Sequence, residues 1–249
     1  MTARVLVVGG YGAIGRAVCA TLAADGADVA VAGRSAERAE ELAKELAGHG
    51  HRTMGLRLDV ADREDAERAV GAVVDAWGGI DVLINGASVL VTVPAEEFGP
   101  QEWAQTLATN LSGAFWISQA AGRAMIAAGN GGRIVHLSSV RGALGARRGF
   151  TAYGASKAGV NLLVRQLAAE WGRHGITVNA VSPGFVRTDF VAEASRDDQF
   201  LRTVTARTPL GRTAEVQEVA DAVCYLASER AAFVTGQVLY VDGGVSSSQ

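Results

Sequence analysis

Cysteine, histidine and lysine are scarce in this chain: two, four and two in 249 residues. Cys19 and Cys224 are far apart in sequence, each within a stretch of helical pattern. They read as small buried side chains of a reducing compartment, with a disulfide between them as the alternative. His49, His51, His136 and His174 lack the spacing of a metal-ligand set, so no metal is expected. No apolar run approaches the ~18 residues that a membrane-spanning helix needs. Met1–Arg4 leads into a short apolar segment that stops at Gly9, without the cleavage-site pattern of a secretory leader. The 23 basic and 26 acidic residues leave a net charge of −3, and the scattered positive charges make no nucleic-acid footprint. Linkers, low-complexity segments and internal repeats are absent as well. What remains is 49% hydrophobic and 20% charged, too apolar to stay unfolded. One domain spanning 1–249, in a cytoplasmic protein, is the expectation.

Apolar runs of strand length alternate with amphipathic stretches of helix length throughout. Val5–Val8, Val29–Ala32, Met54–Leu58, Val82–Ile84, Ile134–Leu137, Thr177–Val181 and Val238–Val241 read as strands. Most are continuously apolar, as strands covered on both faces must be. Ala13–Ala24, Ala36–Ala47, Arg63–Trp77, Trp103–Ala128, Ala152–Gly172 and Glu215–Ser228 carry apolar residues at helical period, and Ser35 is suited to cap the second of these. The alternation predicts an α/β fold, a doubly wound sheet of about seven parallel strands with helices on both faces. Ser182–Thr213 reads as one long irregular stretch, and its part from about 186 to 213 as a substrate lid.

Gly9-Gly10-Tyr11-Gly12-Ala13-Ile14-Gly15 follows the first strand and opens the first helix. There a glycine-rich turn lets backbone N–H groups and the helix dipole meet a pyrophosphate. Gly9 permits the tight turn, Gly12 a close approach, and Gly15 the packing of helix on sheet. Arg34 follows nineteen residues after Gly15, next to Gly33 and Ser35 at the end of the second strand. An acidic residue at that offset would bind the ribose hydroxyls of NAD, whereas arginine suits a 2′-phosphate, so NADP(H) is favoured and NAD(H) remains open. The alternative is that Arg34 is only a solvated residue at the start of the helix. Asp59, after the third strand, could accept a hydrogen bond from an adenine amino group or cap the next helix.

Tyr153-Gly154-Ala155-Ser156-Lys157 carries the most chemistry. Tyrosine and lysine four apart on a helix share one face, about 5–6 Å between Cβ atoms. A phenol titrates near 10, so acid–base work at neutral pH asks for about 4 kcal/mol of help, part of which a nearby ammonium supplies. Ser139, fourteen residues before Tyr153, follows a strand at the carboxyl edge of the sheet, from which a loop could return its hydroxyl to the phenol and hold a carbonyl oxygen. A Ser-His-Asp hydrolase is disfavoured, because no G-x-S-x-G elbow and no late histidine occur. Arg141, Arg147 and Arg148 crowd the loop between Ser139 and Tyr153. They read as a solvated loop face, with attraction of an anionic substrate or carrier as the alternative.

Over nearly its whole length the chain resembles the short-chain dehydrogenase/reductase family in its single-domain, Rossmann-like form. The resemblance rests on the glycine turn 9–15, Asp59-Val60, Asn85-Gly86-Ala87, Asn110, Ser139, Tyr153/Lys157, Pro183-Gly184 with Thr188, and Val241-Asp242-Gly243-Gly244. It implies that Tyr153 is the general acid/base, and that Lys157 binds the nicotinamide ribose and lowers the tyrosine pKa. It further implies that Ser139 orients the substrate and that Asn110 holds a relay water. Pro183, Gly184, Phe185 and Val186 would pass the carboxamide, with Thr188 near the cofactor amide or pyrophosphate. Val8 and Ala13 depart from the family's usual Thr and Gly, and Asn85-Gly86-Ala87-Ser88 replaces its Asn-Asn-Ala-Gly. The implied activity is reversible reduction of a ketone to a secondary alcohol, by a homotetramer acting on a small molecule. A silent dinucleotide-binding regulator, or a dehydratase or epimerase on the same scaffold, are the competing readings.

Overall fold

The structure is a computed structural model and describes residues 2–48, 50–147, 149–188 and 198–248. Seven parallel strands form one sheet in the order β3-β2-β1-β4-β5-β6-β7. They are β1 (Arg4–Val8), β2 (Asp28–Gly33), β3 (Thr53–Arg57), β4 (Val82–Asn85), β5 (Gly132–Leu137), β6 (Ile176–Pro183) and β7 (Val238–Val241). Alternation along a strand sends successive side chains to opposite faces, and β1 shows the consequence. Leu6 and Val8 join one core with helices α3 (Arg63–Trp77), α5 (Gly113–Ala128) and α6 (Thr151–Trp171). Val5 and Val7 join the other with α1 (Ala13–Ala24), α2 (Ala36–Leu46) and α8 (Val216–Leu226). Both faces of the central strands are thus covered, which is why β1 and β2 are almost wholly apolar and buried. Cys19 and Cys224 are free and buried in the second core. No helix among the described residues is long and apolar enough to cross a membrane.

Two stretches differ from the sequence reading. The helix expected over Trp103–Ala128 is two helices, α4 (Pro100–Leu107) and α5, joined by a π turn at Ala108–Ser112. Helical period runs through both, so the pattern does not reveal one extra residue in the ladder; such π bulges gather at functional sites. The stretch expected to be irregular, Ser182–Thr213, contains the end of β6 and helix α7 (Asp198–Ala206). Residues 189–197 of the expected lid, and Arg148 and His49, lie outside the described residues.

The chain reverses its strand order between β1 and β4, and their carboxyl ends open a crevice where ligands bind in such sheets. One rim of it is tied down by the buried Asp65 of α3. Its carboxylate accepts the Asp59 N–H at 3.1 Å and pairs with Arg57 at 2.8 Å and with Arg68. Burial alone would raise its pKa, but the Asp59 N–H and the two guanidinium groups outweigh this and hold it below the ordinary 3.8. A depressed carboxylate stabilises the fold above its unfolded pKa and loses that contribution as pH falls through the folded value. Replacement Asp65→Ala strands the Asp59 N–H and is expected to cost about 2 kcal/mol at pH 7, a Tm drop of about 4–8 °C. Urea melts should show the gap from wild type narrowing below pH 3.8; a gap of equal size at pH 3 would contradict this account.

Candidate active site

At the crevice a cleft of about 310 Å³ is lined by Gly9, Tyr11, Gly12, Arg34, Asp59, Val60, Gly86 and Ala87, with Ser88 and Thr109 beside them. Backbone geometry makes the floor. Gly9 has φ +73°, and a Cβ there would come within 3.0 Å of Ala87 N, while one on Gly15 would collide with the Gly9 carbonyl. Helix α1 begins at Gly12 with no side-chain cap and no acidic residue in its first turn, and Gly12 and Ala13 are exposed. Ile14 faces the core beneath. An open helix N-terminus in a glycine cradle fits the pyrophosphate of a dinucleotide.

The far end of the cleft is built by Tyr11. Its hydroxyl accepts the Ser35 N–H at 3.0 Å, and the Arg38 guanidinium lies 4.4 Å from its ring centroid. A Cβ on Gly33 would lie only 2.7 Å from Tyr11 Cζ, so the ring fills the space that an acidic side chain at 33 would take. Arg34 is exposed at the cleft edge. Ser35 points its hydroxyl to the Arg38 N–H at 3.2 Å as the N-cap of α2. Asp59 keeps one carboxylate oxygen on the Ala61 N–H at 3.1 Å, and the cap of α3 is Asp62, not Asp59.

At the other end, α6 carries Tyr153 and Lys157 on one face. The Lys157 ammonium is buried 5.6 Å from the Tyr153 ring centroid and donates to the Leu137 carbonyl at 2.8 Å. Burial pushes its pKa down to about 8. The Tyr153 hydroxyl lies within hydrogen-bonding reach of Ser139 and Ser88. Desolvation raises its pKa above the ordinary 10 against the pull of those hydroxyls and of the Arg141 charge. The phenol is therefore protonated at neutral pH, and Arg141 adds a positive charge near it that the sequence reading did not assign to it.

Asn110 sits in the π turn, and its amide is fully engaged. Nδ2 donates to the Val89 carbonyl at 2.9 Å and to Ser156 Oγ at 3.1 Å, while Oδ1 accepts the Val89 N–H at 2.8 Å. The side chain clamps the loop after β4 to α6. Asn85 is buried outside the cleft lining. Its Oδ1 accepts the Ala87 N–H at 3.2 Å, and its Nδ2 meets His136 Nδ1 at 3.3 Å. Pro183 and Gly184 end β6, Thr188 follows, and Val186 is buried and bridges to Ala214. The sequence reading passed over Ser88, whose one signal is that it stands where the resemblance expects glycine. It also passed over Arg38, Ser156 and His136, which act only through neighbours distant in sequence. Among the described residues no His, Cys, Asp or Glu cluster could hold a metal.

The family model described as Enoyl-(Acyl carrier protein) reductase matches residues 10–246. The chain is 37% identical to gluconate 5-dehydrogenase of Gluconobacter oxydans over 246 residues, 99% of this chain and 95% of that one. It is 41% identical to D-threitol dehydrogenase of Mycolicibacterium smegmatis over 242 residues, covering 96% and 91% of the two chains. A crystal structure of a gluconate 5-dehydrogenase from Burkholderia cenocepacia in complex with NADP and tartrate superposes with a TM-score of 0.94 at 33% identity, covering 100% and 97%. The fold and these relatives define an oxidoreductase acting on alcohols and ketones with a nicotinamide dinucleotide. The chain belongs to the short-chain dehydrogenase/reductase family.

Beneath Lys157, His136 is wholly buried and neutral. Ser118 gives its hydroxyl hydrogen to the Ala114 carbonyl at 2.7 Å, so it accepts from His136 Nε2 at 2.9 Å and leaves Nδ1 to accept from Asn85. Burial, reinforced by the Lys157 charge, lowers its pKa to about 3. The imidazole NMR signals of His136 are expected to stay those of the neutral Nε2–H tautomer down to pH 4. A folded pKa below the unfolded value of about 6.5 stabilises the fold above 6.5 and loses that contribution as pH falls below it. Titration of this ring near pH 6 would overturn the assignment.

Proposed function

We propose that the protein is an NADP(H)-dependent carbonyl reductase, running in reverse as a secondary-alcohol dehydrogenase, with Tyr153 as its general acid/base. The observation that carries this reading is the phenol of Tyr153, protonated by burial and within reach of Ser139 and Ser88, above the buried ammonium of Lys157. A nicotinamide bound in the crevice supplies or accepts the hydride. Ser139 and Ser88 hold the substrate oxygen, and Tyr153 gives that oxygen its proton. Lys157, anchored on the Leu137 carbonyl, favours the phenolate left behind, and Asn110 keeps the loop bearing Ser88 in place. A relay water on Asn110 would need its main chain, since the side-chain amide is occupied.

Gly9, Tyr11, Gly12, Ala13, Ile14, Gly15, Asp59, Val60, Gly86 and Ala87 form the cofactor's adenosine and pyrophosphate site in this reading, with Asn85 supporting from below. Pro183, Gly184, Val186 and Thr188 flank the nicotinamide. Preference for NADP(H) is supported by the Tyr11 ring in the place of an acid at 33, by Arg34 at the cleft edge, and by the relative crystallised with NADP. The chain acts as one domain. Homotetramer formation is supported by the fully exposed Phe233 and the partly exposed Leu239 and Tyr240 on and beside the edge strand β7. Two free cysteines suit the cytoplasm.

Tyr153→Phe is expected to lower ketone turnover, followed as loss of NADPH absorbance, by at least about 100-fold. NADPH binding should stay within about threefold of wild type. Turnover at the wild-type rate would remove Tyr153 from the chemistry, and cofactor binding without turnover of any ketone or alcohol would favour a silent regulator. Arg34→Ala is expected to raise the KM for NADPH about tenfold, the worth of one charge-assisted contact of about 1.4 kcal/mol, and to leave that for NADH unchanged. Equal effects on both cofactors would contradict the assignment of Arg34 to the 2′-phosphate.

A further inference from the structure

Arg141 stands two residues after Ser139, on a short 3₁₀ turn (Val140–Gly142) whose backbone is held on three sides. The Arg141 N–H donates to Ser139 Oγ at 3.2 Å, and Asn161 Nδ2 donates to the Gly142 carbonyl at 3.4 Å. Asn161 is itself fixed by the Ser138 hydroxyl at 2.6 Å, and a Cβ on Gly142 would come 2.9 Å from the Lys157 carbonyl. The turn is thus pressed onto α6 beside Tyr153. From it the half-buried side chain reaches a guanidinium position 5.4 Å from the Phe150 ring and 5.7 Å from the Phe185 ring. Phe150 precedes α6 and Phe185 follows β6, so the arginine lies between the two loops that flank the phenol.

This guanidinium has one hydrogen bond, to the Gly145 carbonyl at 3.4 Å, and no carboxylate partner among the described residues. Other arginines, such as Arg4 with Asp81, Arg52 with Asp28 and Arg212 with Glu218, pair with a carboxylate, and those without one, such as Arg34, Arg38 and Arg165, are exposed, whereas Arg141 is half-buried. A second positive charge, Arg207 just after α7, acts on Arg141; burial and then this repulsion pull the Arg141 pKa down. The Arg141 charge in turn is felt at the Tyr153 hydroxyl. A half-buried cation therefore stands between Phe150 and Phe185 beside the proton donor, with no counter-charge among the described residues. A partly desolvated cation is costly until an anion pairs with it, and the planar fork of arginine matches a carboxylate edge.

We propose that Arg141 is the subsite for a carboxylate on the substrate, so that the ketone reduced at Tyr153 is a keto acid. This rests on the reading of Tyr153 as the proton donor and names the substrate class for that site. A small molecule fits better than an acidic carrier protein, because the guanidinium is half-buried between aromatic rings rather than displayed on the surface.

The test is calorimetric binding of tartrate and of threitol, which share a four-carbon skeleton and differ in the two terminal carboxylates, to the protein saturated with NADP⁺. Wild type is expected to bind tartrate at least tenfold more tightly than threitol. Arg141→Gln should erase that difference while leaving threitol binding and the circular dichroism spectrum unchanged. Arg141→Lys should retain part of it, and Arg207→Gln should weaken tartrate by a smaller factor. A second arm compares kcat/KM for 5-dehydro-D-gluconate with that for L-sorbose, its counterpart with hydroxymethyl in place of carboxylate. The wild-type ratio should be at least ten and fall towards one in Arg141→Gln. Tartrate bound no better than threitol, bound equally by Arg141→Gln, or bound less tightly than inorganic phosphate, each overturns the carboxylate subsite. Binding lost in Arg141→Gln while wild type turns over no ketone leaves the subsite standing and removes the reductase reading instead.

Discussion

One ammonium group, that of Lys157, is buried beneath a phenol with a single carbonyl oxygen, Leu137, for its partner. Taking a cation out of water is expensive unless the surroundings compensate, and much of the neighbouring structure answers to that charge. His136, one residue before the accepting carbonyl, stays neutral because it is wholly buried and because a second positive charge there would repel the first. Its neutral tautomer then sets which way Asn85 points, and Asn85 in turn holds the Ala87 N–H in the cleft floor. The carboxyl ends of β4 and β5 and the start of α6 are in this way one polar unit inside an apolar sandwich. A change at any of these side chains is transmitted to both the phenol and the cofactor cleft.

Apart from Asp59 in the cleft lining, the charges named around the site share a sign. Lys157, Arg141, Arg34 and Arg38 are all cationic, in a chain whose net charge is −3. The acidic residues are spent on structure: Asp28, Asp65 and Asp81 hold strand ends through arginine, and Asp242 holds the turn after β7 through the Gly244 and Ser246 N–H groups. Such a division suits a site whose cofactor and substrate bring the negative charge. It also separates the two arginine groups by task, one beside Tyr11 at the adenosine end and one between Phe150 and Phe185 at the reacting end.

Much of this was legible in the residues. All seven strands were, the inner ones because a strand buried on both faces is largely apolar, and the glycine turn and the Tyr153–Lys157 spacing fall at the two ends of the crevice described above. The π turn at Ala108–Ser112 was not, since the periodicity of α4 and α5 is the same with or without an inserted residue. What stabilises it is the Asn110 amide, bonded to residues about 20 and 46 positions away. Ser88 looked like a loop residue until the fold brought it to Tyr153. Of the two readings of Asp59, adenine partner or helix cap, the second goes to Asp62, three residues on. Helix α7 was hidden because it is only nine residues long and lies in a stretch bounded by Pro183-Gly184 and Pro209.

Local chemistry, then, was decided along the chain: which residues form strands, where phosphate can meet a helix, and which tyrosine has a lysine one helical turn away. These depend on spacings of a few residues, and backbone geometry converts such spacings directly into position. The protonation of Tyr153, the neutrality of His136 and the lack of a carboxylate partner for Arg141 among the described residues were decided only by folding. Each depends on what is excluded from its surroundings, water above all, and exclusion is a property of groups brought together from distant parts of the chain.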